Sequence, residues 1–217
     1  MTVIPIGSDT VKPLKNNASL GEDIEELMKG KKIILFFGFI LKRKGLEYLI
    51  NAFSELHKKF PEYILIFAGG TLNYQNFYML DLQKQIRKLE LTHKILFTGF
   101  LTEGQIHRLY KEAQFLVLPY TYSISSSLPL TFAIQYHKPV IATDIGSLSE
   151  EIRNGKDGIL CKARNVKSLE NAMEKIMVDD ILYSALCEGM KITHKQRTWE
   201  HTADLTFTLY SKVLTHD

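Results

Sequence analysis

Short runs of apolar residues alternate along the chain with stretches in which apolar positions recur every three or four residues. The runs lie at 33–37 (IILFF), 63–68, 94–97, 115–118, 139–142 and 158–160. Runs of this length without polar alternation are the mark of strands buried on both faces. Between them, 45–60 spaces Leu46, Leu49, Ile50, Phe53 and Leu56 as one helix face, and 76–91 does the same with Met79, Leu82, Ile86 and Leu89. Further helices are predicted over 102–112, 130–136, 169–177 and 199–214. A helix after nearly every strand predicts a doubly wound α/β fold: a parallel sheet covered on both faces, with right-handed crossovers. No internal repeat or heptad seam interrupts the pattern. Residues 1–20 read as a polar N-terminal linker segment, 21–195 as one α/β domain, and 196–217 as a C-terminal helix. In that last helix Trp199, Leu209 and Tyr210 are expected to form a core-packing stripe.

Composition narrows the class. The chain has 217 residues, 45% of them hydrophobic and 24% charged, which excludes a disordered or fibrous protein. Its 27 basic against 24 acidic residues give a net charge of +3, too weak to point to nucleic acid. Cys161 and Cys187 are too few and too far apart for a disulfide framework or a zinc site, and read as reduced thiols. The polar Gly7-Ser8-Asp9 falls where a leader would be apolar, and no apolar run approaches the ~20 residues of a membrane span. A soluble intracellular protein is expected. The seven histidines form no HExxH and no cluster with cysteine. His57, His93 and His107 are expected on exposed helix faces or ends, and His194 and His201 in a surface tail. A Walker A loop, a GxGxxG and a GxSxG are all missing.

In such sheets ligands sit where the strands end at their carboxyl side. The loop 38–45 (GFILKRKG) leaves the first strand with two glycines and three cations, Lys42, Arg43 and Lys44, beside a helix start. Cations are disfavoured there by the helix dipole, and a bound phosphate would resolve the conflict. A solvated basic turn is the plainer alternative. The loop 120–129 (YTYSISSSLP) carries Tyr120 and the serines Ser125, Ser126 and Ser127 ahead of a buried helix. It reads either as a neutral anion cradle or as a plain N-capping loop. Thr102 with Gln105, and Ser147 with Glu150, fit capping boxes. Glu150 follows a strand end, so it also has a route to a ligand.

Several of these signals fall in one order. Residues 94–101 (KILFTGFL) precede Leu109, Tyr110 and Ala113, then 115–119 (FLVLP), then 138–146 (KPVIATDIG), then Glu150, Ile152, Gly155, Gly158 and Leu160. Phe37-Gly38 and Lys44-Gly45-Leu46 open the series. Together they closely resemble the C-terminal, donor-binding domain of retaining glycosyltransferases of group 1 (family 4), which have the GT-B fold with its Rossmann-like halves. The motifs run over residues 32–161.

The resemblance implies a Rossmann-like nucleotide-sugar-binding domain that transfers a sugar from a UDP- or GDP-linked donor. The donor is a substrate, and no further cofactor is implied. Lys44 would hold the donor diphosphate and neutralise the leaving group, as the catalytic residue. Gly38, Lys42 and Arg43 would share that wall. Thr98, Gly99 and Phe100 would lie by the nucleobase. Ser125, Ser126, Ser127, Leu128 and Leu130, with Tyr120 and Glu150, would complete the substrate contacts. Three positions depart from the family. Phe39 stands where an arginine is usual, and Ile124 and Phe132 stand where two glutamates are usual. No glutamate occurs between Glu112 and Glu150, which leaves a non-catalytic nucleotide-sugar-binding module as an alternative. An unrelated two-domain α/β enzyme such as an epimerase is a more distant one. The segment 3–9 (VIPIGSD) resembles the family's hand-over between halves. The expectation is therefore an acceptor-binding domain supplied by a partner chain or a longer parent protein, in the cytoplasm, with any membrane contact peripheral at the inner face.

Overall fold

The computed structural model describes residues 4, 7–8, 18–72, 76–122 and 127–214. Six strands form one sheet: β1 (Lys32–Phe37), β2 (Tyr63–Ala68), β3 (Ile95–Gly99), β4 (Ala113–Leu118), β5 (Val140–Thr143) and β6 (Gly158–Cys161). Their order is β3-β2-β1-β4-β5-β6, and every neighbouring pair is parallel. The unbroken apolar runs have their expected cause. All six residues of β2 are buried, as are the middle four of β1, because helices cover both faces.

The helices are α1 (Glu22–Met28), α2 (Leu46–Leu56), α3 (Asn76–Lys88), α4 (Glu103–Glu112), α5 (Leu128–Gln135), α6 (Ser147–Glu151), α7 (Val166–Val178), α8 (Asp180–Lys195) and α9 (Trp199–Leu214). The spaced apolar residues of α2 are all fully buried. Each is worth roughly 1.5–3 kcal/mol relative to exposure. The box at Thr102 forms: its main-chain N–H donates to Gln105 Oε1 at 2.9 Å, and its hydroxyl accepts from the Gln105 N–H.

Two helices, α1 and α8, lie beyond the sequence reading. Helix α8 is capped by Asp179, whose Oδ1 accepts from Leu182 N at 2.8 Å. A buried polar knot ties it to the sheet. Arg153 Nε and Thr193 Oγ1 each donate to Asp157 Oδ2 at 2.7 Å, and Asp157 is 1% exposed. With these donors in place the buried carboxylate is satisfied.

Three expectations are corrected. Helix α9 has the expected bounds but buries nothing, and Trp199, Phe207 and Tyr210 are all more than half exposed. Both sheet faces are already covered by the preceding helices, so the stripe faces outward. Just ahead of its start, Ser8 N donates to Arg197 O at 2.6 Å, and the Arg197 guanidinium pairs with Glu151 of α6 at 2.8 Å. Ser147 is no cap, because Gly146 takes the N-cap position of α6 and makes no side-chain bond. His107 is half-buried rather than exposed, its Nδ1 bonded to the Tyr136 hydroxyl and its ring against Phe132.

Candidate functional site

The strand order reverses between β1 and β4. Crossovers leave these two strands toward opposite sides, which opens a crevice at their carboxyl ends. There lies a cleft of about 350 Å³. Its walls come from the turn after β1, the glycines after β2, the loop after β3 and the start of α5.

The basic wall is a 3-10 turn, Lys42–Lys44, closed by Gly45. Gly45 has φ +66°, and a Cβ there would overlap the Pro119 carbonyl oxygen. Only glycine allows the turn to lie this close to the exit of β4. Thr121 fixes the approach from the other side: its N–H and its hydroxyl donate to Arg43 O at 2.9 and 3.2 Å. Gly38, Arg43 and Lys44 line the cleft. Lys42 does not; it faces a second groove beside Glu47, Tyr78 and Asp81. Lys44 is half-buried, and its Nζ lies 3.6 Å from the centroid of the Tyr120 ring. Burial, reinforced by the nearby Arg43 charge, pushes its ammonium down to about 8.

The helix start behind this turn is less available to an anion than the sequence suggests. Leu46 N donates to the Tyr78 hydroxyl at 3.0 Å, and that hydroxyl donates to the Glu47 carboxylate. A side chain from α3 has therefore taken one amide expected for phosphate.

The opposite wall is neutral. Ser127 caps α5, with Leu130 N donating to its Oγ at 3.4 Å, and Pro129 stands in the first turn, where its missing N–H costs nothing. Ser127, Leu128 and Pro129 line the cleft. Ser125 and Ser126 lie outside the described residues. Leu130 is a core residue with 1% exposure and does not reach the cleft.

Aromatic edges close the rim. Phe39 and Phe100 are exposed and meet edge to face, 6.1 Å between centroids. Phe100 rests on Gly70, where a Cβ would overlap its ring. Thr98 and Gly99 sit behind it without lining the cleft, the Thr98 hydroxyl donating to the Gly99 carbonyl. Phe39, Gly69 and Gly70 line the site without having been picked as contacts; a glycine pair directly after a strand was the available signal. Tyr120, expected at the ligand, has no exposed surface, and its contact is with Lys44 instead. Glu150 is exposed on α6, away from the cleft lining.

Among the described residues no carboxylate lines the cleft, and no group of histidines, cysteines and carboxylates is placed to hold a metal ion. A half-dehydrated lysine, an arginine and an aromatic rim at a switch point suit an anionic ligand with a flat ring. The fold is a doubly wound α/β domain with this cleft at its switch point.

Residues 22–192 match the family model of glycosyl transferases group 1, and the chain belongs to that family. An uncharacterized glycosyltransferase of Methanocaldococcus jannaschii is 27% identical over 181 residues, covering 83% of this chain and 45% of that protein. The chain thus spans about half the length of the curated relatives it matches. Anabaena HepE in complex with UDP shares the fold with a TM-score of 0.78 at 21% identity, over 88% of this chain and 52% of that one. The C-terminal domain of a group 1 family glycosyl transferase (LpcC) from Francisella tularensis gives 0.71 at 21% identity, over 85% of this chain and 94% of that domain. The sheet is that of the C-terminal half of the GT-B architecture.

Proposed function

We propose that this domain binds the nucleotide-diphosphate part of a sugar donor and takes part in retaining transfer of the sugar. The observation that carries this is Lys44, placed with Arg43 in the switch-point cleft of a group 1 glycosyltransferase. As the sugar–phosphate bond breaks, charge develops on the diphosphate. A lysine already aimed at that position stabilises the departing anion more than the ground state, which is how it lowers the barrier. Arg43 adds a second charge. The N-terminal turn of α5, beginning at Ser127 and Leu128, offers a neutral surface to the phosphates. Phe39 and Phe100 offer an edge on which a nucleobase can pack. A structure of HepE was determined with UDP, which supports a uridine nucleotide as the first to try.

The acceptor would be brought by a second Rossmann-like domain, in a partner chain or a longer parent protein. The outward Trp199, Phe207 and Tyr210 of α9 offer such a domain an apolar face. No described helix is long and apolar enough to cross a membrane. The resemblance to group 1 glycosyltransferases is what supports a proposed cytoplasmic location, with any membrane contact peripheral. The lack of a lining carboxylate among the described residues favours one second reading, a module that binds the nucleotide sugar without turning it over. Calorimetric titration with UDP and GDP, followed by incorporation of labelled sugar into an acceptor extract, separates the two. Binding with incorporation supports transfer, and binding without it supports the module. No binding at millimolar nucleotide rejects both.

A further inference from the structure

Lysine has a flexible four-carbon stem, so a lysine that meets a ligand in one place must be held there or search for it. Among the described residues no carboxylate pairs with Lys44, and the charged group close enough to act on it is Arg43, of like sign. What holds the ammonium is the face of Tyr120, at 3.6 Å, well inside the ~6 Å reach of a cation–π contact. The ring is itself immobile. It has no exposed surface, and its main-chain carbonyl accepts the buried Thr143 hydroxyl at 2.7 Å. Its neighbour Thr121 grips the lysine's own turn through Arg43 O. Ring and turn are therefore one unit, assembled from the ends of β1, β4 and β5. The Tyr120 hydroxyl is buried beside Ser127 at the α5 start without a well-formed hydrogen bond to it, so close packing does most to keep the ring in place.

We propose that Tyr120 is a positioning residue whose ring face stores the Lys44 ammonium at the mouth of the β1–β4 crevice and presents it to the donor diphosphate. The proposal rests on the reading that Lys44 meets that diphosphate. It assigns Tyr120 a role through Lys44 and no contact with substrate. The groups facing the ammonium are the Arg43 guanidinium on its own turn and the neutral Tyr120 phenol on the β4 exit. The ring favours the charged lysine, while burial and Arg43 oppose it.

The test replaces Tyr120 by Phe and then by a trifluorinated phenylalanine, which keeps the shape but withdraws electron density from the ring face. Two quantities are read: UDP affinity at pH 7, and the NMR titration of the Lys44 ε-methylene in the unliganded protein. Tyr120→Phe is expected to stay within about twofold of wild type in affinity, with the Lys44 midpoint still near 8. The fluorinated ring is expected to weaken UDP about five- to tenfold and to move the midpoint down, because shape and burial are unchanged while the attraction is lost. A merely structural ring would leave the midpoint where it was. An unchanged midpoint and affinity on fluorination overturn the role of Tyr120. Lys44→Ala, run alongside, tests the other reading: UDP binding that survives it overturns the diphosphate role. In that case the ring contact still stands or falls on the titration.

Discussion

The two walls of the cleft are built on opposite plans. The turn after β1 carries Lys42, Arg43 and Lys44 and is pinned to the exit of β4 by Gly45 and by both donors of Thr121. The wall at the start of α5 offers Ser127, Leu128 and Pro129, with no charge and a long 3.4 Å cap bond. Charge and rigidity therefore sit together on one side. A rigid wall is where charge acts best, since its groups need no rearrangement as the anion develops. The neutral wall can vary in sequence without disturbing that electrostatic core.

The largest effect is expected from breaking the pin. Gly45→Val sets a β-branched residue at φ +66° against the Pro119 carbonyl. Strain and overlap together should cost about 3 kcal/mol or more, read by urea unfolding, and should abolish UDP binding. A stable variant with full binding would show that the turn does not depend on this approach.

A second test separates the walls by pH. Lys44 titrates near 8 in the free protein, below its ordinary 10.5. A bound diphosphate restores the charged form, so binding takes up a proton above pH 8. UDP affinity should be full below pH 8 and fall by up to tenfold per unit above it. Stability runs the other way. Between about 8 and 10.5 the unfolded chain holds more protons on Lys44 than the folded one, so stability gains with rising pH in that window. Comparing wild type with Lys44→Met isolates both trends. The neutral wall gives the smallest effect. Ser127→Ala removes a weak cap and should cost about 1 kcal/mol or less in thermal unfolding, with UDP affinity within about threefold.

Much of this was legible in the sequence. The strands were, because a sheet buried on both faces leaves unbroken apolar runs such as that of β2. Lys44, Arg43, Gly38, Phe100, Ser127 and Leu128 were, because strand ends point to the cleft and the resemblance points to the same loops. What stayed hidden depends on contacts between distant segments. Helix α8 carries Gly189 in its interior, a poor helix former, kept because a Cβ there would strike the Lys156 carbonyl. The outward face of α9 has a core-like pattern, and only the filled sheet faces show why the described residues leave it unburied. The loss of the Leu46 amide to Tyr78 spans 32 residues. The burial of Tyr120 against Lys44 joins two loops that no local pattern connects.

The central claim is that Lys44 recognises phosphate charge from the rigid wall. The direct measurement is calorimetric titration at pH 7 of wild type and Lys44→Ala, each with UDP and with uridine. Wild type should bind UDP far more tightly than uridine, and Lys44→Ala should lose about ten- to hundredfold for UDP, in keeping with one charge-assisted bond, while uridine is unchanged. Equal UDP affinity in the two proteins, at unchanged thermal stability, would contradict the account.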